Sequence, residues 1–232
     1  MAVRLWKKVF VGFVALIALI VWVYSMLGGL EWREKVTLTV TTPTGVKSAY
    51  SVHRVGLPRA DLVTGRSLKY RRGEAIVLEL PDSSGPRYLF ALLDVRWRAL
   101  HIYKDDLEKS SDISGLTKSA PRVMPREYYP ILVTFDDITK PETVKPVDPN
   151  NLAATFGEGY ALKSVTLEIT NERVTEGRVE EVLGWWPSFR GGPYNSMKSL
   201  KLPNDSPRGW KHLSPLSFWS LDRVKKFNET SK

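Results

Sequence analysis

The sequence predicts an α+β fold that is mainly β: antiparallel hairpins with two short helices, preceded by one transmembrane helix. Three observations carry this. Residues 9–30 form an uncharged run, VFVGFVALIALIVWVYSMLGGL. Residues 36–41 (VTLTVT) and 163–170 (KSVTLEIT) alternate with the period of two that marks a half-buried strand. Clusters of Pro, Gly, Asp and Ser separate the apolar runs, as turns between strands require.

The 22 residues from Val9 to Leu30 would extend about 33 Å as a helix, against a hydrocarbon core of roughly 30 Å. Trp6 stands at one edge and Trp22, Tyr24 and Trp32 gather toward the other, where amphipathic rings favour the interface. A cleaved signal peptide is the competing reading. Its apolar region is about 7–15 residues long and ends in small residues, whereas only Leu27-Gly28-Gly29 approaches such a site. Arg4, Lys7 and Lys8 precede the run and a mixed set, Glu31, Arg33, Glu34 and Lys35, follows it. The Lys/Arg bias places the N-terminus inside. The domains expected are therefore 1–30, a cytoplasmic tip and anchor; 31–184, a mainly β extracytoplasmic domain; and 185–232, a Pro/Trp-rich tail.

Within the second domain, Thr42-Pro43-Thr44-Gly45 turns the 36–41 strand back into 46–55. Residues 56–73 are a polar, turn-rich excursion. Residues 75–80 (AIVLEL) and 87–93 (RYLFALL) flank Pro81–Pro86 as a second hairpin, and the unbroken apolar run in 88–93 suggests a strand covered on both faces. Residues 104–126 lack periodicity and are expected to be an exposed loop. Tyr128 to Phe135 is the next strand. Asp148 and Pro149 then read as the cap and first residue of a short helix ended by Gly157. A second short helix is expected over 175–183, with Thr175 as cap and Gly184 as stop. In the tail, Phe218, Leu221, Val224 and Phe227 recur at spacing three beside Arg223, Lys225 and Lys226, a short basic amphipathic helix. Its apolar stripe suits a membrane surface or partner, or the domain's own core.

The chain has 34 Lys+Arg, 25 Asp+Glu and a net charge of +9. Arg4, Lys7 and Lys8 lie before residue 31, which leaves 31 cations against 25 anions, net +6, in residues 31–232. A mildly basic surface beside a membrane suits anionic headgroups or acidic wall polymers. Nucleic acid, which needs a denser patch, is not an expected partner. The absence of Cys excludes disulfides, thiolate metal sites and thiol nucleophiles. His53, His101 and His212 form no H-x-x-x-H pair, and no G-x-S-x-G, P-loop or G-x-G-x-x-G occurs. The carboxylates Asp136 and Asp137 after a strand, with Asp148 nearby, could hold a hard cation or act in hydrolysis. They are also ordinary turn formers. No catalytic residue and no cofactor is assigned.

Ile131–Asp137, Val147–Gly157 and Leu162–Thr170 together resemble a family of uncharacterised proteobacterial proteins, single-span envelope proteins with a small extracytoplasmic domain. The similarity extends over Glu31 to Val55 and the Gly73–Leu93 hairpin. It implies bacterial origin, an anchored topology and one compact domain, and brings no activity or site residues. The function expected is a non-enzymatic envelope interaction module. It would sit in the bacterial inner membrane, N-terminus cytoplasmic and C-terminal domain periplasmic. Its partners would be the lipid bilayer through residues 9–30 and an envelope protein or anionic surface. The alternative is a ligand- or metal-binding or hydrolytic domain with a site near Asp136, Asp137 and Asp148.

Overall fold

In the computed structural model the described residues are Val14, Leu19, 30–57, 70–82, 85–93, 98–109, 113–185, 200–201, 212–213 and Phe218. The anchor and the tail helix thus lie almost wholly outside the described residues. Among the described residues no helix is long and apolar enough to cross a membrane.

Strand β1 (Leu30–Thr42) pairs antiparallel with β2 (Gly45–Leu57) from Thr42↔Gly45 to Leu30↔Leu57. The link is the two residues Pro43 and Thr44, and Gly45 takes a φ of 122° that a side chain would disfavour. Trp32, Glu34, Val36, Leu38 and Val40 all point inward and are buried. The strand therefore begins six residues before the alternation in 36–41, since Glu34 occupies an inward position where an apolar residue was expected. Trp32 belongs to this core row and not to a membrane interface. Its indole N–H donates to Glu34 Oε2 at 3.4 Å.

Short β3 (Tyr70–Arg72) pairs with residues 54–56 of β2. Next come β4 (Ile76–Leu80) and β5 (Arg87–Ala91), the second hairpin. The chain then forms α1 (Arg98–Ile102), α2 (Lys104–Lys109), a 3-10 turn at Ser114–Lys118 and β6 (Arg122–Val123). This corrects the loop, though not the exposure, in the expectation of an exposed loop over 104–126: the described residues of that segment are mostly exposed or half-buried. Ile113 and Met124, with Tyr103 just before the segment, are buried single anchors, too widely spaced to show a period. The Tyr103 hydroxyl donates to Leu167 O at 3.1 Å. Arg122 lies over its ring at 4.4 Å and pairs with Asp106.

Strand β7 is shorter than expected, Leu132–Phe135, because residues 126–128 make a 3-10 turn. Strand β8 (Val144–Val147) follows, then α3 (Ala153–Phe156), β9 (Ala161–Ile169) and α4 (Arg178–Val182). Helix α3 begins four residues after Pro149. Asp148 caps a turn by accepting from Asn150 N–H at 2.9 Å, while Asn151 Oδ1 accepts from Ala154 N–H. Two short strands, β10 (Leu200–Lys201) and β11 (His212–Leu213), pair in the tail.

The main strands form two antiparallel sheets, β3-β2-β1-β9-β6 and β4-β5-β7-β8. Between them lie Val36, Leu38 and Val40 of β1, Ile76, Leu78 and Leu80 of β4, Leu89 and Ala91 of β5, and Val165, Leu167 and Ile169 of β9. The opposite face of the second sheet carries Val77, Phe90, Val133 and Phe135 against Val179, Leu183, Trp185 and Phe218. Alternate residues of β5 thus enter two different cores, which explains the continuous apolar run in 88–93. Phe218 packs edge-on to Phe90 at 5.8 Å, an aromatic geometry worth about 0.5–1.5 kcal/mol beyond its burial. Its carbonyl accepts from Ala75 N–H at 2.8 Å. Trp185 donates to Ile138 O at 2.7 Å. At these two residues the tail docks on the domain.

Candidate functional site

Where β2 passes β4, a set of polar side chains is sealed in the interior: Glu34, Ser51, His53 and Glu74. Glu34 and His53 are paired across the β1–β2 ladder, so their side chains lie on one face. The His53 Nε2 lies 2.9 Å from Glu74 O. A carbonyl only accepts, so Nε2 carries the proton, and Nδ1 faces Glu34 Oε1 at 4.0 Å. Ser51 Oγ donates to the same Glu74 carbonyl at 2.9 Å. A serine, a histidine and a carboxylate are therefore adjacent but are not joined as a nucleophile and its base: Ser51 and His53 converge on one backbone oxygen instead of on each other. Ser51 and Glu34 have no solvent exposure, and His53 is 3% exposed. The set joins two sheets and offers no surface to a substrate.

The Glu74 carboxylate does a second job. Its Oε2 accepts from Gly177 N–H at 2.9 Å and its Oε1 from Arg178 N–H at 2.8 Å. These are the orphan donors at the start of α4, which a carboxylate satisfies while opposing the helix dipole. The cap expected from Thr175 is thus supplied by a residue 103 positions away. Thr175 is used elsewhere: its Oγ1 accepts from Val52 N–H at 2.9 Å and its N–H donates to Val52 O at 3.1 Å.

Beside this junction the surface opens into a groove of ≈ 330 Å³ lined by Ser48, Ala49, Tyr50, Ala75, Val77, Thr175 and Arg178. One wall is β2 and the other is β4, the outermost strand of its sheet. Tyr50 is half exposed, at 50%, and Lys35 Nζ lies 4.4 Å over its ring. That ammonium is held charged chiefly by its hydrogen bond to Glu172 at 2.6 Å, with Glu168 at 3.3 Å adding to it, so its pKa is raised.

The carboxylates singled out in the sequence are engaged locally. Asp136 pairs with Lys145. Asp137 Oδ1 accepts from the N–H (2.9 Å) and hydroxyl (2.6 Å) of Thr139, and its Oδ2 lies 3.0 Å from Lys140. The Thr139 hydroxyl, followed by Lys140, lowers its pKa to about 2. Asp148 caps the Asn150 turn. Among the described residues no group of three His, Asp or Glu is arranged to hold a metal ion. The histidines stay apart: His53 is buried, His101 stacks on Tyr128 at 5.1 Å, and His212 lies in β11.

The groove and the sealed cluster were both missed from sequence. The groove combines residues from 48–50, 75–77 and 175–178, with no local motif among them. For the cluster a signal existed in Glu34, Ser51 and His53, polar residues at inward parity in two strands. No protein-family model, curated protein or solved structure matches the chain.

Proposed function

We propose that this protein is a non-enzymatic interaction module of a bacterial envelope, held to the inner membrane by residues 9–30, with its N-terminus in the cytoplasm and its β domain in the periplasm. The uncharged run at 9–30, long enough to span a bilayer, supports the anchor, and the cations before it support the orientation. The observation that carries the interaction reading is how the domain uses its polar groups. The inward-facing polar side chains tie the sheets and α4 together, and the Asp136, Asp137 and Asp148 carboxylates serve turns and ion pairs. An open feature among the described residues is a groove between two strands, which suits recognition of another polymer. The carboxylate-site alternative gains no convergent set among the described residues.

The test is cross-linked affinity purification of the full chain from solubilised membranes, with a form lacking residues 1–30 alongside. The expected result is one envelope protein recovered at near-stoichiometric amount with the full chain. Repeated purifications that recover nothing specific would remove the reading. A C-terminal reporter active only in the cytoplasm would remove the topology.

A further inference from the structure

Among the described residues, strand β2 is covered along its outer edge only in part. The N–H and C=O of Val52 point away from β1, since both bond Thr175. Strand β3 occupies the same edge at residues 54–56. Backbone groups in a strand alternate sides with period two, so the N–H and C=O of Ser48 and Tyr50 face that edge as well. Among the described residues nothing bonds them. Natural edges are blunted by charge, proline, bulges or cover. Residues 46–50 (VKSAY) carry one Lys and no Pro, and Val46 and Tyr50 stand 53% and 50% exposed. Among the described residues, the lining of the adjacent groove holds one cation, Arg178, and no carboxylate. Arg178 is exposed and engaged with Glu181 at 3.2 Å in an i,i+3 pair, the kind of surface ion pair that yields readily.

We infer that the groove receives an extended, acidic segment of a partner polypeptide, added as a strand to β2 at Ser48 and Tyr50 with a carboxylate against Arg178. The inference rests on the interaction-module reading and specifies its site. Main-chain hydrogen bonds would supply affinity and the groove its selection. Ala49, Ala75 and Val77 leave room for small apolar side chains, and the Arg178 guanidinium, exchanging its Glu181 partner, selects an acidic neighbour.

The probes are three labelled octapeptides of alternating Thr and Val: one with a central Asp, one with Lys in its place, and the Asp form N-methylated on alternate amides. Binding is read by fluorescence anisotropy with the full chain in detergent micelles. The Asp peptide should bind saturably, and the Lys and N-methyl peptides about tenfold more weakly or worse, as expected for losing a charge contact or a pair of main-chain bonds. Two variants address the protein side. Ser48→Pro removes an outward N–H that β1 does not use, and Arg178→Glu reverses the lining charge. Each should weaken the Asp peptide about tenfold while the chain keeps a single cooperative urea transition, its midpoint lowered only by the lost Thr39–Ser48 hydroxyl contact at 3.0 Å or the lost Arg178–Glu181 pair. The inference is overturned if the Asp peptide does not bind, or binds without regard to charge and methylation. It is also overturned if the chain is a dimer that Ser48→Pro dissociates, for then the occupant is a second copy. An envelope protein that co-purifies equally with the parent and both variants would remove the groove and leave the interaction reading standing. A peptide that binds as stated while no partner co-purifies would do the reverse.

Discussion

Replacing Glu74 tests the claim that a residue between β3 and β4 holds α4 in place. Its carboxylate is fully buried and accepts from two main-chain N–H groups at 2.9 and 2.8 Å. Hydrogen bonds to a charged group are worth about 1.5–3 kcal/mol each. Glu74→Gln keeps one acceptor oxygen and turns an NH₂ toward the other donor, so one bond is lost and the helix end loses its negative charge. The expected cost is about 2–4 kcal/mol. Glu74→Ala strands both donors and should cost about 3–5 kcal/mol. With a urea m-value of about 2 kcal/mol/M, Glu74→Gln moves the midpoint by about 1–2 M. Urea unfolding of the full chain in micelles, followed by tryptophan fluorescence, measures this. Glu142→Gln, at an exposed position, is the control and should stay within about 0.5 kcal/mol of the parent. A Glu74→Gln variant as stable as that control would refute the reasoning.

Three further outcomes follow from the same structure. Gly73→Ala should cost more than the roughly 1–2 kcal/mol of a left-handed residue. Gly73 has φ +124°, and a Cβ there would sit 2.8 Å from His53 Cδ2 and 3.0 Å from Val52 O; thermal unfolding reads the loss. Phe218→Ala should cost about 3–5 kcal/mol, since Phe218 is fully buried against Phe90 and Phe135. An unchanged Tm would show that the tail does not share the core. Asp137 should titrate near pH 2 by carboxyl NMR, below the ordinary Asp value, because Thr139 and Lys140 favour its ionised form. Its contribution to stability is complete above the ordinary carboxylate range and disappears as the pH falls through about 2, so Asp137→Asn should matter at pH 6 and not at pH 1.5.

What could be read from sequence depended on whether one side chain row faced one environment. Val165, Leu167 and Ile169 alternate cleanly because one face of β9 meets the core, and β9 lies where the pattern placed it. The alternation in 36–41 stops short of the start of β1 because the inward row there holds Glu34, whose partner His53 lies on the other strand of the hairpin. Residues 104–126 gave no period because each buried residue there is a lone anchor from a different short element. The Asp148-Pro149 pair had the composition of a helix start, yet Asp148 spends its oxygen on Asn150 and the helix forms at Ala153. Glu74 and the groove arise from contacts more than 100 residues apart, and local sequence cannot encode that proximity.

The most direct test of the account is a photo-cross-linking amino acid placed at position 48 in the full chain, expressed in bacterial cells, with one at the exposed turn position 158 for comparison. The account predicts a single adduct of defined mass from position 48, mapping to an acidic extended segment of an envelope protein, and none from position 158. Adducts that are absent at position 48, or the same from both positions, would contradict it.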